Sequence, residues 1–333
     1  MPLIINMKDN IITLAHGSGA RLTQNLISSV FASTFQMEEL SDSFRIEPGL
    51  VVTTDAHVVK PLFFPGGNIG KLAVTGTVND VAVSGAVPAY LLAAFIIEEG
   101  FPISELQKIV NSMQKAAQEA GVKIIAGDTK VVEKHNAEGV YITTTGIGYL
   151  AEGIALSTQK IKPGDQIIVN NYIGDHTIAI INSRDQLGLQ PPPLSDCAPL
   201  NHLIQDMLSV SDVHFIRDAT RGGVATILNE VYDDCGMGII IDESALPIRN
   251  STMAVSELLG MEPLYMANEG VIVSFVPAQT DNLLSAMTAN IYGKNSALIG
   301  KVTNEVKGVY LKTPLGSLRP LPMLNADPLP RIC

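Results

Sequence analysis

The apolar residues of this chain fall in short runs broken by glycine, proline and small polar residues, the texture of buried strands alternating with helices. Leu22, Leu26, Ile27 and Val30 recur at helical spacing just after the stretch Ala15-His16-Gly17-Ser18-Gly19-Ala20, which predicts an amphipathic helix. Leu50 to Thr54 reads as a strand ending at Asp55, and Phe63-Phe64-Pro65-Gly66-Gly67 as a turn. A helix is expected from about Ile69 to Gly85. Its small residues Ala73, Gly76, Ala82 and Ser84 imply close packing against a neighbour. Tyr90 to Ile97 reads as a buried strand and Ser104 to Ala120 as a helix, with Ser104 as N-cap, Gln107 completing a capping box and Gly121 as C-cap. Val122 to Ala126 and Val140 to Leu150 are expected strands.

The texture changes near residue 156. The turn at 161–165 launches a strand from Gln166 to Asn170. Helices follow near 174–187, 200–209, 221–235, 251–259 and 280–290, and strands near 213–217, 237–242, 271–276 and 297–303. Leu189-Gln190-Pro191-Pro192-Pro193 reads as a stiff surface loop. The pattern gives two α/β-type domains, residues 1–155 and 156–320. Residues 321–333 carry three prolines and continue neither domain. They are expected to form an extended, mobile tail that could reach on the order of 30 Å from its anchor.

Composition narrows the possible partners. The 333 residues are enough for two cores, and 46% hydrophobic with 17% charged residues excludes disorder as the main state. Twenty-two basic against 33 acidic residues give −11, and tryptophan is absent, so a nucleic-acid partner is not expected. An anionic ligand would have to be held by local donors or by metal. No basic n-region with an apolar core opens the chain, and the longest uncharged run, Val81 to Ile97, is broken by Gly85 and Pro88. With only Cys197, Cys235 and Cys333, the expectation is a cytoplasmic protein with reduced thiols and no membrane segment.

Several residues could carry chemistry. Cys333 stands last, on a proline-stiffened arm; an accidental terminal thiol is the plain reading, but exposed thiols are a liability and such an arm is a poor random tail. Asp55, Asp80, Asp128 and Asp218 sit in apolar or glycine surroundings, where a carboxylate needs donors or a cation. Each could be a cap or turn residue, a strong reading for Asp218; together they point to shared Mg–ATP binding. The segments His16-Gly17-Ser18-Gly19 and Arg221-Gly222-Gly223 could present backbone N–H groups to phosphate, though neither matches a Walker or Rossmann fingerprint. Lys130, Arg217 and Arg221 supply cations nearby, or are ordinary surface charges. Glu269, in Ala267-Asn268-Glu269-Gly270, reads as a plain loop carboxylate or as a general base at a strand mouth. The histidines show no paired metal spacing, and Cys197 and Cys235 read as buried small hydrophobes.

Taken together, AHGSG, TTDAHVV, FFPGGNIGKLAVTGTVNDVAVSGA, AGDTKVVE, RDATRGGVA, ANEG and PLPRIC resemble the HypE family of hydrogenase maturation factors, carbamoyl dehydratases, over essentially the whole chain. The wider superfamily includes aminoimidazole ribonucleotide synthetase, selenophosphate synthetase and thiamine-phosphate kinase. The resemblance implies an α+β fold of two domains, a homodimer formed through an N-terminal-domain β-barrel, and ATP with Mg²⁺ in a cleft. It assigns metal and nucleotide contacts to Asp55, Asp80 and Asp128, less firmly to Asp218, with Asp42 in a weaker match upstream. Gly17, Ser18, Gly19 and Arg221 are the further ATP contacts expected.

The chemistry implied is dehydration. A partner carbamoyltransferase places a carbamoyl group on Cys333, ATP phosphorylates the amide oxygen, and a base removes the N–H protons as phosphate leaves. The product is a thiocyanate, passed to an iron-carrying maturation complex as cyanide for a [NiFe] hydrogenase. Glu269 is the candidate base, and Lys130 the candidate for stabilising the transferring phosphoryl group. Selenophosphate synthesis is excluded because no cysteine precedes Cys197. The rival from another class is a non-catalytic, ATP-gated carrier whose tail thiol ferries a metal or small group.

Overall fold

The structure, a computed structural model, describes residues 11–37, 41–47, 49–326 and 332. The expectations about the first ten residues, and about Cys333, fall outside them.

The first half builds a five-stranded sheet. Helix α1 (Arg21–Leu26), a π-helical stretch (Ile27–Ala32) and α2 (Ser33–Phe35) form the expected N-terminal helix. None of its residues is buried, so its apolar stripe finds no core among the described residues. Then come β1 (Phe44–Glu47), β2 (Leu50–His57), the hairpin β3 (Phe63–Phe64) and β4 (Gly67–Asn68), α3 (Ile69–Val83), β5 (Val87–Glu98), α4 (Ile103–Ala120), β6 (Lys123–Val132) and β7 (Val140–Tyr149). The sheet order is β1-β2-β7-β5-β6. Helix α3 is buried along nearly its whole length, and glycines explain how. A Cβ on Gly70 would strike the Ile109 carbonyl of α4, and one on Gly148 would strike Val81. Side-chain-free positions on both sides let α3 sink between sheet and helix.

Helix α4 corrects one expectation. It starts at Ile103 after Pro102, and no side chain caps it. The fixed φ of Pro102, −65°, already sets the chain for helix entry, which leaves Ser104 inside the first turn. Gly121 ends it at φ +73°, as expected.

The second half comprises β8 (Gln166–Val169), α5 (Asp175–Asp185), α6 (Asn201–Val210), β9 (Phe215–Asp218), α7 (Gly223–Cys235), β10 (Gly238–Asp242), α8 (Asn250–Leu259), β11 (Ile272–Val276), α9 (Asp281–Ala289), β12 (Ala297–Thr303), β13 (Val309–Lys312) and β14 (Leu318–Pro320). Its seven strands lie in the order β14-β13-β10-β12-β8-β11-β9. Only β10 and β13 pair in parallel; the other five pairings are antiparallel. The alternation of strands and helices therefore does not make a parallel α/β domain here, and the chain as a whole is α+β. Both large sheets are open, with no closed barrel among the described residues. No helix of the described residues is long and apolar enough to cross a membrane.

Candidate functional site

Four aspartates from both halves of the chain converge. Asp55 lies near the end of β2, Asp80 on α3, Asp218 at the end of β9, and Asp42 just before β1. Burial, reinforced by the charges of Asp218, Asp55 and Asp42, pushes the Asp80 carboxyl well above the ordinary carboxylate range. Asp218 is pushed up to about 7, first by burial and then by Asp42, with Arg217 opposing. Arg217 is already committed: its guanidinium bonds Asp42 at 2.9 Å and Glu230 at 2.8 Å. Thr53 links two members, donating to the Asp42 carbonyl at 2.6 Å and to Asp80 at 3.3 Å. His57, buried, lies 3.5 Å from Asp55, and burial holds its imidazole below the usual range. A cavity of about 770 Å³ opens beside this cluster, bordered by Asp42, Ser43, Leu150, Phe215 and Arg217.

The two glycine-rich segments meet. Gly19, at φ +79°, comes so close to Arg221 that a Cβ there would lie 2.6 Å from the arginine Cβ. The loop before it is fixed by His16, whose Nδ1 bonds the Thr13 N–H at 3.1 Å, and by Ser18, whose hydroxyl donates to Ala15 O at 2.9 Å. Gly222 and Gly223, at φ +78° and +62°, turn the chain from β9 into α7. A Cβ on Gly223 would lie 2.5 Å from Leu264 O, so this tight entry needs glycine.

Glu269 is buried, and its backbone is held from both domains. Its N–H donates to Asp196 at 3.0 Å, and Asn79 of α3 reaches its carbonyl at 3.5 Å. Asn268 pins the turn, accepting from Gly174 N–H at 2.7 Å and donating to Ala219 O at 2.8 Å. Glu269 Oε1 and Asp196 Oδ2 are buried without a hydrogen-bond partner among the described residues. Burial, then the charges of Asp196, Asp55 and Asp218, pushes Glu269 well up, with Arg221 opposing. Asp196 is pushed up to about 7 by its own burial. Sequence reasoning missed Asp196; its signal was an acid set in the apolar run Leu194 to Leu200.

Asp128 and Lys130 stand apart from these groups. Both are exposed on β6, joined by a 2.7 Å ion pair that lowers the Asp128 carboxyl. Among the described residues no three His, Cys, Asp or Glu side chains are grouped closely enough to hold a metal by themselves. Cys197 is buried, 3.0 Å from Thr75 Oγ1, with burial pushing its thiol up to about 12; Cys235 is half-buried. The described part of the tail is held. Asn229 donates to Leu321 O at 2.9 Å, Tyr265 to Pro322 O at 2.6 Å, and the Arg21 and Leu22 N–H groups to Leu324 O and Asn325 O, both at 3.2 Å.

Comparison with known proteins agrees with this architecture. Residues 41–150 match the family described as AIR synthase related protein, N-terminal domain, and residues 162–312 match its C-terminal domain. The chain is 44% identical over 338 residues to the carbamoyl dehydratase HypE of Azotobacter vinelandii, with 99% of each chain covered. A chain from the crystal structure of a HypE–HypF complex superposes with a TM-score of 0.87 at 45% identity, covering 90% of this chain and 99% of that one. The crystal structure of HypE in complex with ATP superposes at 0.83 with 39% identity, covering 97% and 100%.

Proposed function

We propose, because this chain belongs to the HypE family of carbamoyl dehydratases, that it uses ATP to dehydrate an S-carbamoyl group on Cys333 to a thiocyanate, which supplies cyanide for a [NiFe] hydrogenase. The observation that carries this reading is Glu269. It is a buried carboxylate with one oxygen unpartnered, and its field comes from the aspartates and from Arg221. Burial makes the ionised carboxylate a stronger base, as removal of amide protons requires, and the charge of Arg221 favours that ionised form.

In this scheme the Gly17-Ser18-Gly19 loop, apposed to Arg221, holds the phosphates of ATP. The amide oxygen attacks the γ-phosphorus and ADP leaves. Glu269 takes one N–H proton, leaving the O-phosphorylated imidate. As the C–O bond breaks, phosphate departs carrying the second N–H proton and the C≡N bond forms. Lys130 is the proposed counter-charge for the transferring group. Its place on exposed β6, away from Glu269, fits a site completed by a second subunit. The exposed Ile124, Ile125 and Val131 on this sheet edge support the same homodimer, and a barrel would arise only by joining two open sheets.

A divalent cation fits the acid cluster. Burial first, and then repulsion from the neighbouring carboxyls, raises Asp80 and Asp218, and a cation between them would offset both. Mg²⁺ commonly takes one or two protein carboxylates beside phosphate oxygens and water, so a closed protein cage is not required. One or two of Asp55, Asp80 and Asp218 would hold it beside the phosphates, and it would supply charge neutralisation there; Asp128, apart on β6, would reach a nucleotide site only from a second subunit. The proposed partners are the carbamoyltransferase that loads Cys333, as the HypE–HypF complex suggests, and an iron-carrying acceptor of cyanide.

The test is coupling. ADP release from the carbamoylated protein should match thiol dehydration one to one; ATP turnover out of step with the thiol would return the carrier reading.

A further inference from the structure

The hairpin Phe63-Phe64-Pro65-Gly66-Gly67 takes no part in the scheme above, yet it packs closely against a buried histidine of the second half. Gly66, at φ +95°, brings the hairpin against residue 195: a Cβ there would lie 2.8 Å from Ser195 N, and that N–H donates to Pro65 O at 2.8 Å. The Phe64 ring meets His176 edge-on, with centroids 5.6 Å apart. His176 is wholly buried on α5. Its Nδ1 is 2.8 Å from Ser195 Oγ, and its Nε2 is 2.8 Å from the carbonyl oxygen of Ile332. Ile332 is itself buried and joins the core cluster that includes Phe64, Ile69 and Cys197.

The proton positions follow from the partners. A carbonyl only accepts, so Nε2 carries hydrogen and donates to Ile332 O. Neutral imidazole then accepts at Nδ1 from the Ser195 hydroxyl. Ser195 Oγ in turn accepts from Cys197 N–H at 3.1 Å, and every group is satisfied. Burial independently favours this neutral state, holding His176 down to about 4.

We propose that His176, oriented by Ser195 and roofed by the Phe63–Gly67 hairpin, is a positioning residue that latches the C-terminal segment through the Ile332 carbonyl. The seat is chained directly to the candidate base. Ser195 precedes Asp196, which accepts from Glu269 N–H. Cys333 follows Ile332 in the sequence, so the reactivity of its thiol reports on whether this bond holds. This deepens the dehydratase reading in its use of Glu269, but the latch itself is a physical property that stands or falls without catalysis.

The experiment is alkylation of Cys333 by iodoacetamide in the full-length protein, followed by peptide mass, with buried Cys197 as the internal control for unfolding. His176→Ala should raise the Cys333 rate about five- to tenfold, the loss of one buried hydrogen bond, without raising that of Cys197. His176→Gln, whose amide can donate at a similar place, should recover much of the protection, and Ser195→Ala should give an intermediate rate. In single-turnover assays the same order should appear as slower dehydration with loading by the carbamoyltransferase unimpaired. Equal Cys333 rates in wild type, His176→Ala and His176→Gln overturn the latch. If His176→Ala fails to fold, the Gln and Ser195 variants decide alone: rates equal to wild type in both reject it. Absence of dehydration in the wild type would reject the dehydratase reading and leave the alkylation result standing.

Discussion

The Glu269 N–H donates to Asp196 Oδ1 at 3.0 Å, while Asp196 Oδ2 and Glu269 Oε1 are both buried without hydrogen-bond partners among the described residues. Two carboxyls so placed cannot both ionise cheaply, which sets the pH behaviour of the site. Asp196 rises from 3.8 to about 7, chiefly by burial. A carboxyl with a raised native pKa holds a proton that the unfolded chain gives up. Its stabilising contribution is complete below pH 3.8 and is lost as pH rises through about 7. Asp196→Asn, neutral throughout, should therefore flatten the fall of Tm with pH across this window. Calorimetry at a series of pH values checks it, and parallel curves for variant and wild type contradict it.

Glu269→Gln keeps the shape and the backbone hydrogen bonds but removes the base. Dehydration of the carbamoylated thiol should slow by about 10²–10⁴-fold, the usual worth of a positioned general base. Folding stability should hold or rise, because an amide needs no proton to be neutral. Full activity in a rapid-quench assay would remove Glu269 from the mechanism.

The two loop glycines should respond differently. Gly19 has φ +79° and would place a Cβ 2.6 Å from that of Arg221, whereas a Cβ on Gly17 would meet nothing within 4 Å. Gly19→Ala should cost about 1–3 kcal/mol in urea unfolding, and Gly17→Ala under about 1 kcal/mol. Equal losses would mean that the loop and the α7 entry are not in contact.

Strand β6 is exposed along nearly its whole length at the edge of the sheet, with Ile125 and Val131 at 56% and 67% exposure. Such an edge calls for a cover. Ile125→Asp should convert the proposed homodimer to monomer in light scattering and lower ATP turnover with it, since Lys130 lies on the same strand. An unchanged mass would contradict dimerisation through β6.

How much of this was legible in the sequence depends on how local each cause is. Helix α3 and strands β2, β5 and β7 were readable because buried apolar runs and small residues mark them directly. Strands β1 and β14 were not, because short edge strands such as Leu318–Pro320, exposed throughout, carry no hydrophobic signature; β13, interior and alternately buried, spans only four residues, too few for its alternation to stand out. Ser104 misled because a neighbouring proline did its work. Strand direction in the second half was invisible: alternation of helix and strand sets the layers, and only the crossovers set antiparallel pairing. In the site, Glu269, Asp55, Asp80 and Asp218 were marked as candidates through their motifs and lie near one another in the fold, whereas Asp128, marked in the same way, stands apart on β6. Asp196, Ser195 and His176 were missed because their partners lie far off in sequence; the two ends of the Ile332–His176 hydrogen bond are 156 residues apart.

The most direct test of the central claim is the mass of the Cys333 peptide after incubation with carbamoyl phosphate, the partner carbamoyltransferase and Mg–ATP. The account predicts a carbamoyl adduct that then loses one water only as ATP is hydrolysed, and no such adduct in Cys333→Ala. An adduct that never dehydrates, or a Cys333 that stays unmodified, would contradict it.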